Sequence, residues 1–218
     1  MYISIMQPYF LPYMGYFQMV HNSDLFVFYD DVRYIKGGWI NRNKISNNGY
    51  ITIPVKKFKK DDNINDVFVD WESRSVNKLY KNIRQTYSKK IKDNKNVFDI
   101  IENIFDVKPD KISDCSIMSV ELFSDYLGLE TKFKRSSEES YRKFTDKSDN
   151  IIEICNKEKI YNYVNPVGGV DLYDKSYFKE NNINLSFIKG KSSLSILDVC
   201  MNNDIDKLKE DINKYELL

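Results

Sequence analysis

Residues 3–45 read ISIMQPYFLPYMGYFQMVHNSDLFVFYDDVRYIKGGWINRNKI. A short apolar run, Ile3 to Met6, stops at Gln7-Pro8, and Pro12 follows four residues later. Tyr13, Gly15, Tyr16 and Phe17 then run with helical spacing into Met19 and Val20. Leu25 to Tyr29 is a second apolar run, and it ends directly on Asp30-Asp31. The pattern predicts strand, loop, helix, strand, loop. Both strands are short and almost wholly apolar, as in a parallel sheet covered on both faces. The predicted class is therefore α/β, a mainly parallel sheet flanked by helices.

In such a sheet the loops Gln7–Tyr13 and Asp30–Arg42 leave the same edge, the carboxyl ends of the strands, where open α/β sheets bind ligands. The candidate catalytic residues are Asp30 and Asp31. The candidate binding residues from these loops are Gln7, Tyr9, Tyr13, Arg33, Tyr34, Lys36, Trp39, Asn41 and Arg42. Polar groups of this kind are costly to bury unless paired. The other reading is a tyrosine-rich core with a basic loop beside it, and Tyr16, Phe17 and Met19 are assigned to the core on either reading. Trp39 and Arg42 share a face if the segment is a helical turn and oppose each other if it is extended. The helical turn is the expectation here.

Length and composition narrow the classes. The 218 residues fit one domain spanning 1–218, with a helical insertion at about 72–128. Lys and Arg number 33 against 32 Asp and Glu, a net charge of +1, without the basic excess of an electrostatic nucleic-acid binder. The N-terminus shows no signal-peptide pattern, and no apolar run reaches the roughly 20 residues of a spanning helix. Cys115, Cys155 and Cys200 are widely spaced in apolar contexts and read as buried reduced thiols of a cytoplasmic protein. The one histidine, His21, reads as structural or surface. Cys/His ligand spacing is lacking, so no metal site is expected.

Further along, Asn47-Asn48-Gly49 predicts a turn, Tyr50–Val55 a strand, and Ile64–Val69 another strand. Residues 71–107 read as two amphipathic helices, broken at Pro109. Ser113 or Asp114 would cap a third helix, Ser116–Leu127, closed by Gly128. A short strand, Thr131–Arg135, runs into Ser136-Ser137-Glu138, which read equally as ligand contacts or as a helix cap. Residues 149–155 read as an amphipathic helix. The strand Ile160–Val164 precedes Asn165-Pro166-Val167-Gly168-Gly169, where glycines let backbone N–H groups approach an anion or a carbonyl. That loop is expected to close on the same cleft, with Tyr173 and Tyr177-Phe178 on a following helix. A final strand, Leu185–Ile188, and a last large helix from Leu194 complete the chain. Asp198 lies in the apolar stripe of that helix. It is either partnered by Arg33 or Arg42 or is a helix-start acid favoured by the dipole.

The segments QPYFLPYMGYFQ, LFVFYDDVRYIKGGWINRNKI and ITIPV (Ile51–Val55) resemble the opening signature of the WbqC-like family. YVNPVGGVDLYDKSYFKENNINLSFI and LSILDV extend the likeness over nearly the whole chain. Members occur in bacterial O-antigen, lipopolysaccharide and other surface-polysaccharide gene clusters, and a glycine transferase role has been proposed for them. Where the family pattern carries a Lys-His pair, this chain has Lys78-Leu79. The order of elements is also similar to nucleotidyltransferase-like domains of the HUP class. The place of their HxGH tetrad reads Tyr13-Met14-Gly15-Tyr16 here, so both histidines are missing.

The resemblance implies a transferase of surface-glycan or sugar-nucleotide biosynthesis, passing a glycyl, aminoacyl or other acyl group to the amine of a nucleotide-linked amino sugar. Asp30 or Asp31 would take the amine proton. Arg33, Lys36 and Arg42 would hold a pyrophosphate, with Ser136, Ser137, Glu138, Asn165, Gly168, Gly169, Tyr173 and Asp198 as further contacts. No bound cofactor is implied. The acyl donor would be a thioester on an acyl carrier protein or on coenzyme A. The alternatives are a HUP-type nucleotide enzyme with different chemistry, or a non-catalytic scaffold of polysaccharide assembly.

Overall fold

The computed structural model describes residues 1–46, 49–190 and 192–218, so the expected Asn47-Asn48 turn lies outside the described residues. Five parallel strands form the centre: β1 (Tyr2–Met6), β2 (Leu25–Phe28), β5 (Lys132–Arg135), β6 (Asn162–Pro166) and β7 (Asn184–Lys189). Their order in space is β5-β2-β1-β6-β7, with the short antiparallel β8 (Glu216–Leu217) on the outer edge. This is the doubly wound arrangement, in which the winding direction reverses between β1 and β6.

Alternation along the strands explains the two covered faces. Ile3 and Ile5 of β1, Leu25 and Val27 of β2, and Tyr163 of β6 pack on one face with α5 (Lys147–Glu158) and α6 (Lys175–Glu180). Phe26, Phe28 and Val164 face the other way, onto a larger core with α1 (Met14–His21), α4 (Ile112–Leu127), α7 (Ile196–Asn202) and α8 (Ile205–Ile212). Helices α2 (Arg74–Thr86) and α3 (Lys95–Val107) and the two-stranded sheet β3 (Arg42–Ile45)/β4 (Gly49–Thr52) join that side between β2 and β5. The α/β class with a mainly parallel sheet is as the sequence predicts.

Several elements differ from expectation. Residues 64–69 form no strand. Ile64–Asp66 is a 3-10 turn, because Ile64 and Val67 are buried three apart and Asn63 and Asp66 cap it reciprocally. The strand expected over Tyr50–Val55 stops at Thr52, ahead of Pro54. Helix α4 begins at Ile112, ahead of Ser113 and Asp114, since the Val67 carbonyl takes the Ile112 N–H at 2.9 Å. Residues 39–41 are bends leading straight into β3, not a turn of helix. Tyr173 lies before α6. The C-terminal helix is split in two by Asn203-Asp204, with Asp204 capping α8. Gly128 closes α4 at φ +72° as the sequence predicts.

Candidate functional site

The carboxyl ends of β1, β2, β5 and β6 lie along one edge, and the loops leaving them build the candidate site. The Tyr29 N–H donates to the Met6 carbonyl at 2.8 Å, so Gln7 faces Tyr29 across adjacent strand ends. The Gln7 side chain makes no hydrogen bond among the described residues, while its carbonyl accepts from the buried Tyr16 hydroxyl at 3.0 Å. The rest of the loop is pinned. Phe10 N–H donates to Ile40 O at 2.8 Å, Leu11 N–H to Ser119 Oγ at 3.1 Å, and Ile196 N–H to Pro12 O at 2.7 Å. Tyr9 and Tyr13 are half-buried against this frame, and burial raises both phenols, with Tyr13 adding to the effect on Tyr9.

Asp30 and Asp31, adjacent in sequence, occupy different environments. Asp30 is 1% exposed. Its Oδ1 accepts from Ser137 N–H at 3.0 Å and Ser136 Oγ at 3.2 Å, and its Oδ2 accepts from Ser137 Oγ at 2.7 Å. The buried carboxylate is thereby held by groups at the end of β5. Asp31 keeps 16% of its side chain exposed. Its Oδ2 lies 2.5 Å from Lys143 Nζ, and its Oδ1 accepts from Ser136 Oγ. Lys143 Nζ also sits 5.1 Å from the centre of the Tyr29 ring. Burial raises the Tyr29 phenol above its ordinary range, and the charge of Asp31 and then Tyr173 push it the same way. Tyr29 is therefore a neutral hydroxyl beside a carboxylate.

Across the reversal point from Gln7, Asn165 is the penultimate residue of β6, and its amide reaches the Tyr163 hydroxyl. Val167–Gly169 is a 3-10 turn. A Cβ on Gly169 would land on Asn165 Oδ1, whereas one on Gly168 would meet open space. Close approach of Asn165 thus favours glycine at 169, whereas nothing in the chain requires it at 168. Tyr173 packs edge-on to Tyr163 with ring centres 6.4 Å apart.

The remaining sequence candidates lie elsewhere. Arg33 Nε donates to Lys60 O at 2.8 Å and its guanidinium meets Asp61 at 3.5 Å. Arg33, Tyr34 and Lys36 line a separate hollow with Lys57, Phe58 and Lys60. Arg42 stacks between Trp39 and Tyr50, at 5.6 and 5.5 Å, and donates to Gly38 O at 3.0 Å. Trp39 and Arg42 do share a face, through a bend rather than a helix. Asn41 is buried and donates to Ile53 O at 2.8 Å. Glu138 is exposed and approaches Arg135 at 3.8 Å. Asp198 takes no arginine. It accepts from Ser46 N–H at 3.1 Å, Ser46 Oγ at 2.6 Å and Tyr87 Oη at 2.7 Å, in the first turn of α7. Leu79 is buried in the larger core.

The three cysteines are free and buried, and burial pushes the Cys155 thiol up to about 12. His21 meets Asn213 at the surface, 3.0 Å away. No helix among the described residues is long and apolar enough to cross a membrane. Sequence reasoning missed Lys143, in the charged stretch after Tyr141, and it treated Tyr29 only as the end of a strand. The alternation of β2 puts Tyr29 on the face opposite Phe28, and that signal was present in the sequence.

The model of the WbqC-like protein family matches residues 7–210. The chain is 25% identical over 195 residues to the uncharacterized protein Rv1507c of Mycobacterium tuberculosis, across 85% of this chain and 80% of that one. No solved structure matches.

Proposed function

The chain belongs to the WbqC-like protein family, and from that premise we propose a transferase of surface-glycan or sugar-nucleotide biosynthesis that places a glycyl, other aminoacyl or acyl group on the amine of a nucleotide-linked amino sugar. The observation that carries this reading is the division of labour between Asp30 and Asp31. Asp30 is buried and accepts from both Ser137 N–H and Ser137 Oγ, and it shares the single proton of the Ser136 hydroxyl with Asp31. Asp31 is partly open, at the strand edge, beside a neutral phenol and one ammonium group.

In the proposed step the amine nitrogen attacks the carbonyl carbon of an acyl thioester. The N–C bond forms, the C–S bond breaks, and the amine proton passes to Asp31 and then to the departing sulfur. Tyr29 donates a hydrogen bond to the substrate, Gln7 offers a free amide, and the turn after β6 borders the crevice from the other side. The donor is a thioester on a carrier protein or on coenzyme A.

The scaffold alternative predicts tyrosines spread over a flat face. What supports an enzyme is that the Lys143 ammonium and the Tyr29 ring gather at the Asp31 carboxylate. The strand order β5-β2-β1-β6-β7 favours a second reading, a nucleotide-binding enzyme with other chemistry, because nucleotides bind at the reversal point of such sheets. Thermal shift with uridine- and thymidine-diphosphate sugars, amino and non-amino, separates the two. Amino sugars should stabilise the parent more than their hydroxyl counterparts, and Asp31→Asn should erase the difference. Equal shifts from both sugars favour the second reading, and no shift from any nucleotide sugar removes both.

A further inference from the structure

The loop that follows Asp31 lines a separate hollow of about 720 Å³, within the range of small-molecule sites. Four cations line it: Arg33, Lys36, Lys57 and Lys60. No acidic residue does. Arg33 alone has a carboxylate partner, the 88% exposed Asp61, and such a pair is weak. Among the described residues, none of the three lysine ammonium groups forms an ion pair within the chain. In a protein of net charge +1 this is a local concentration of unneutralised charge. A concave wall strengthens its field and draws in anions.

The hollow is a built feature. Tyr34 is 4% exposed and meets Phe58 edge-on at 4.7 Å, forming an aromatic wall. Burial pushes the Tyr34 phenol up to about 12, so it stays neutral and adds no negative charge. The two segments that form the hollow are tied together, with Tyr34 N–H donating to Asp62 O at 2.9 Å and Ile64 N–H to Val32 O at 2.9 Å. The exposed Ile35 extends the apolar part of the rim.

We propose that this hollow binds a nucleoside diphosphate, with its phosphates among Arg33, Lys36, Lys57 and Lys60 and its base against Phe58. Phosphate oxygens suit several cations at once, Arg33 by its planar fork and the lysines as point charges. An aromatic face suits a base of any sequence. The inference deepens the proposed function and rests on it for the sugar that follows the diphosphate. Arg33 is two residues from Asp31, at most about 7 Å between their Cα atoms along an extended chain, so the hollow begins on the same loop as the proposed proton acceptor.

Isothermal titration of the full chain with uridine diphosphate, pyrophosphate and inorganic phosphate tests it. Uridine diphosphate should bind best, and its affinity should fall with added salt. The double variant Lys57→Gln/Lys60→Gln, changed only at exposed positions, should lose about tenfold or more in affinity. Phe58→Ala should bring uridine diphosphate down to the level of pyrophosphate. Lys95→Gln, on α3, should change nothing. Absence of saturable diphosphate binding to the parent, or unchanged affinity in the double variant, overturns the inference. If the double variant keeps full affinity together with a preference for amino sugars, the hollow fails and the proposed function stands. If it loses diphosphate and the parent shows no amino-sugar preference, the hollow stands and the proposed function fails.

Discussion

Lys143 Nζ lies 2.5 Å from Asp31 Oδ2, an ion pair that joins the segment before α5 to the end of β2. Its partners are 47% and 16% exposed in their side chains, so water screens it and its contribution to stability is about 1 kcal/mol or less. Asp31→Asn and Lys143→Gln should therefore unfold in urea close to the parent. Their transfer activities should part: Asp31→Asn loses the proton acceptor and becomes inactive, while Lys143→Gln keeps reduced turnover. An active Asp31→Asn enzyme would remove Asp31 from the chemistry.

Asp30 should behave in the opposite way. Removing its carboxylate leaves Ser137 N–H and Ser137 Oγ without their acceptor at the joint between β2 and β5, while Ser136 Oγ keeps Asp31. Asp30→Ala should cost on the order of 3 kcal/mol in denaturant unfolding. A loss below about 0.5 kcal/mol, the scale of ordinary surface changes, would contradict this assignment.

The paired glycines make a clean contrast. Gly169→Ala forces its new methyl onto Asn165 Oδ1 and should lower stability by about 1–3 kcal/mol. Gly168→Val points into open space and should leave unfolding within about 0.5 kcal/mol while weakening ligand binding. Chemical denaturation with parallel ligand titration checks both. Equal behaviour of the two variants would refute the distinction.

Arg42 and Asp198 are separate structural residues rather than a pair. Arg42→Ala removes a guanidinium stacked between the exposed Trp39 and Tyr50 and should cost about 1 kcal/mol. Asp198→Ala strips the acceptor from Tyr87 and Ser46 and should cost about 2–4 kcal/mol. A double variant should lose the sum of the two, because no contact joins them. Coupling between the two changes would count against this account.

Alkaline pH should unfold the protein through its phenols. Burial raises Tyr34 from 10.0 to about 12, and it raises Tyr9, Tyr16, Tyr29 and Tyr163 as well. A raised folded-state value means the unfolded chain gives up its protons first. The stability is fully present below about pH 10 and is lost as pH climbs through 12. Tyrosinate absorbance should rise together with loss of far-ultraviolet signal. Full titration near pH 10 with the fold intact would contradict the burial.

The central sheet was legible because its strands bury both faces. An apolar run such as Leu25 to Phe28 has few other homes, and Asp30-Asp31 marks where it leaves the core. The same logic of strand ends brings Asp30 together with Ser136-Ser137, which the structure joins by hydrogen bonds. Long-range pairing was not legible. Nothing in residues 39–42 says that Arg42 stacks on Tyr50, since that contact depends on β3 pairing with β4. Nothing near Asp198 names Ser46 and Tyr87 as its partners, 152 and 111 residues away. Ile64–Val69 was misread because Ile64, Val67 and Val69 fit alternation about as well as a three-residue period. Lys143 carried no pattern, as a lysine among charged neighbours looks like any solvated surface.

The fastening of the Gln7–Tyr13 loop also sets when the site can come into being. Leu11 is held by Ser119, 108 residues further along the chain, and by Ser195, 184 residues further along. The first strand and its loop are made before Ser119 and well before Ser195 and Ile196, the groups that complete the fastening of the loop. A growing chain can pair β1 with β2 and still lack a formed crevice until α7 docks. Competence to bind should therefore arrive as a late, all-or-none event in refolding, after most of the secondary structure has formed.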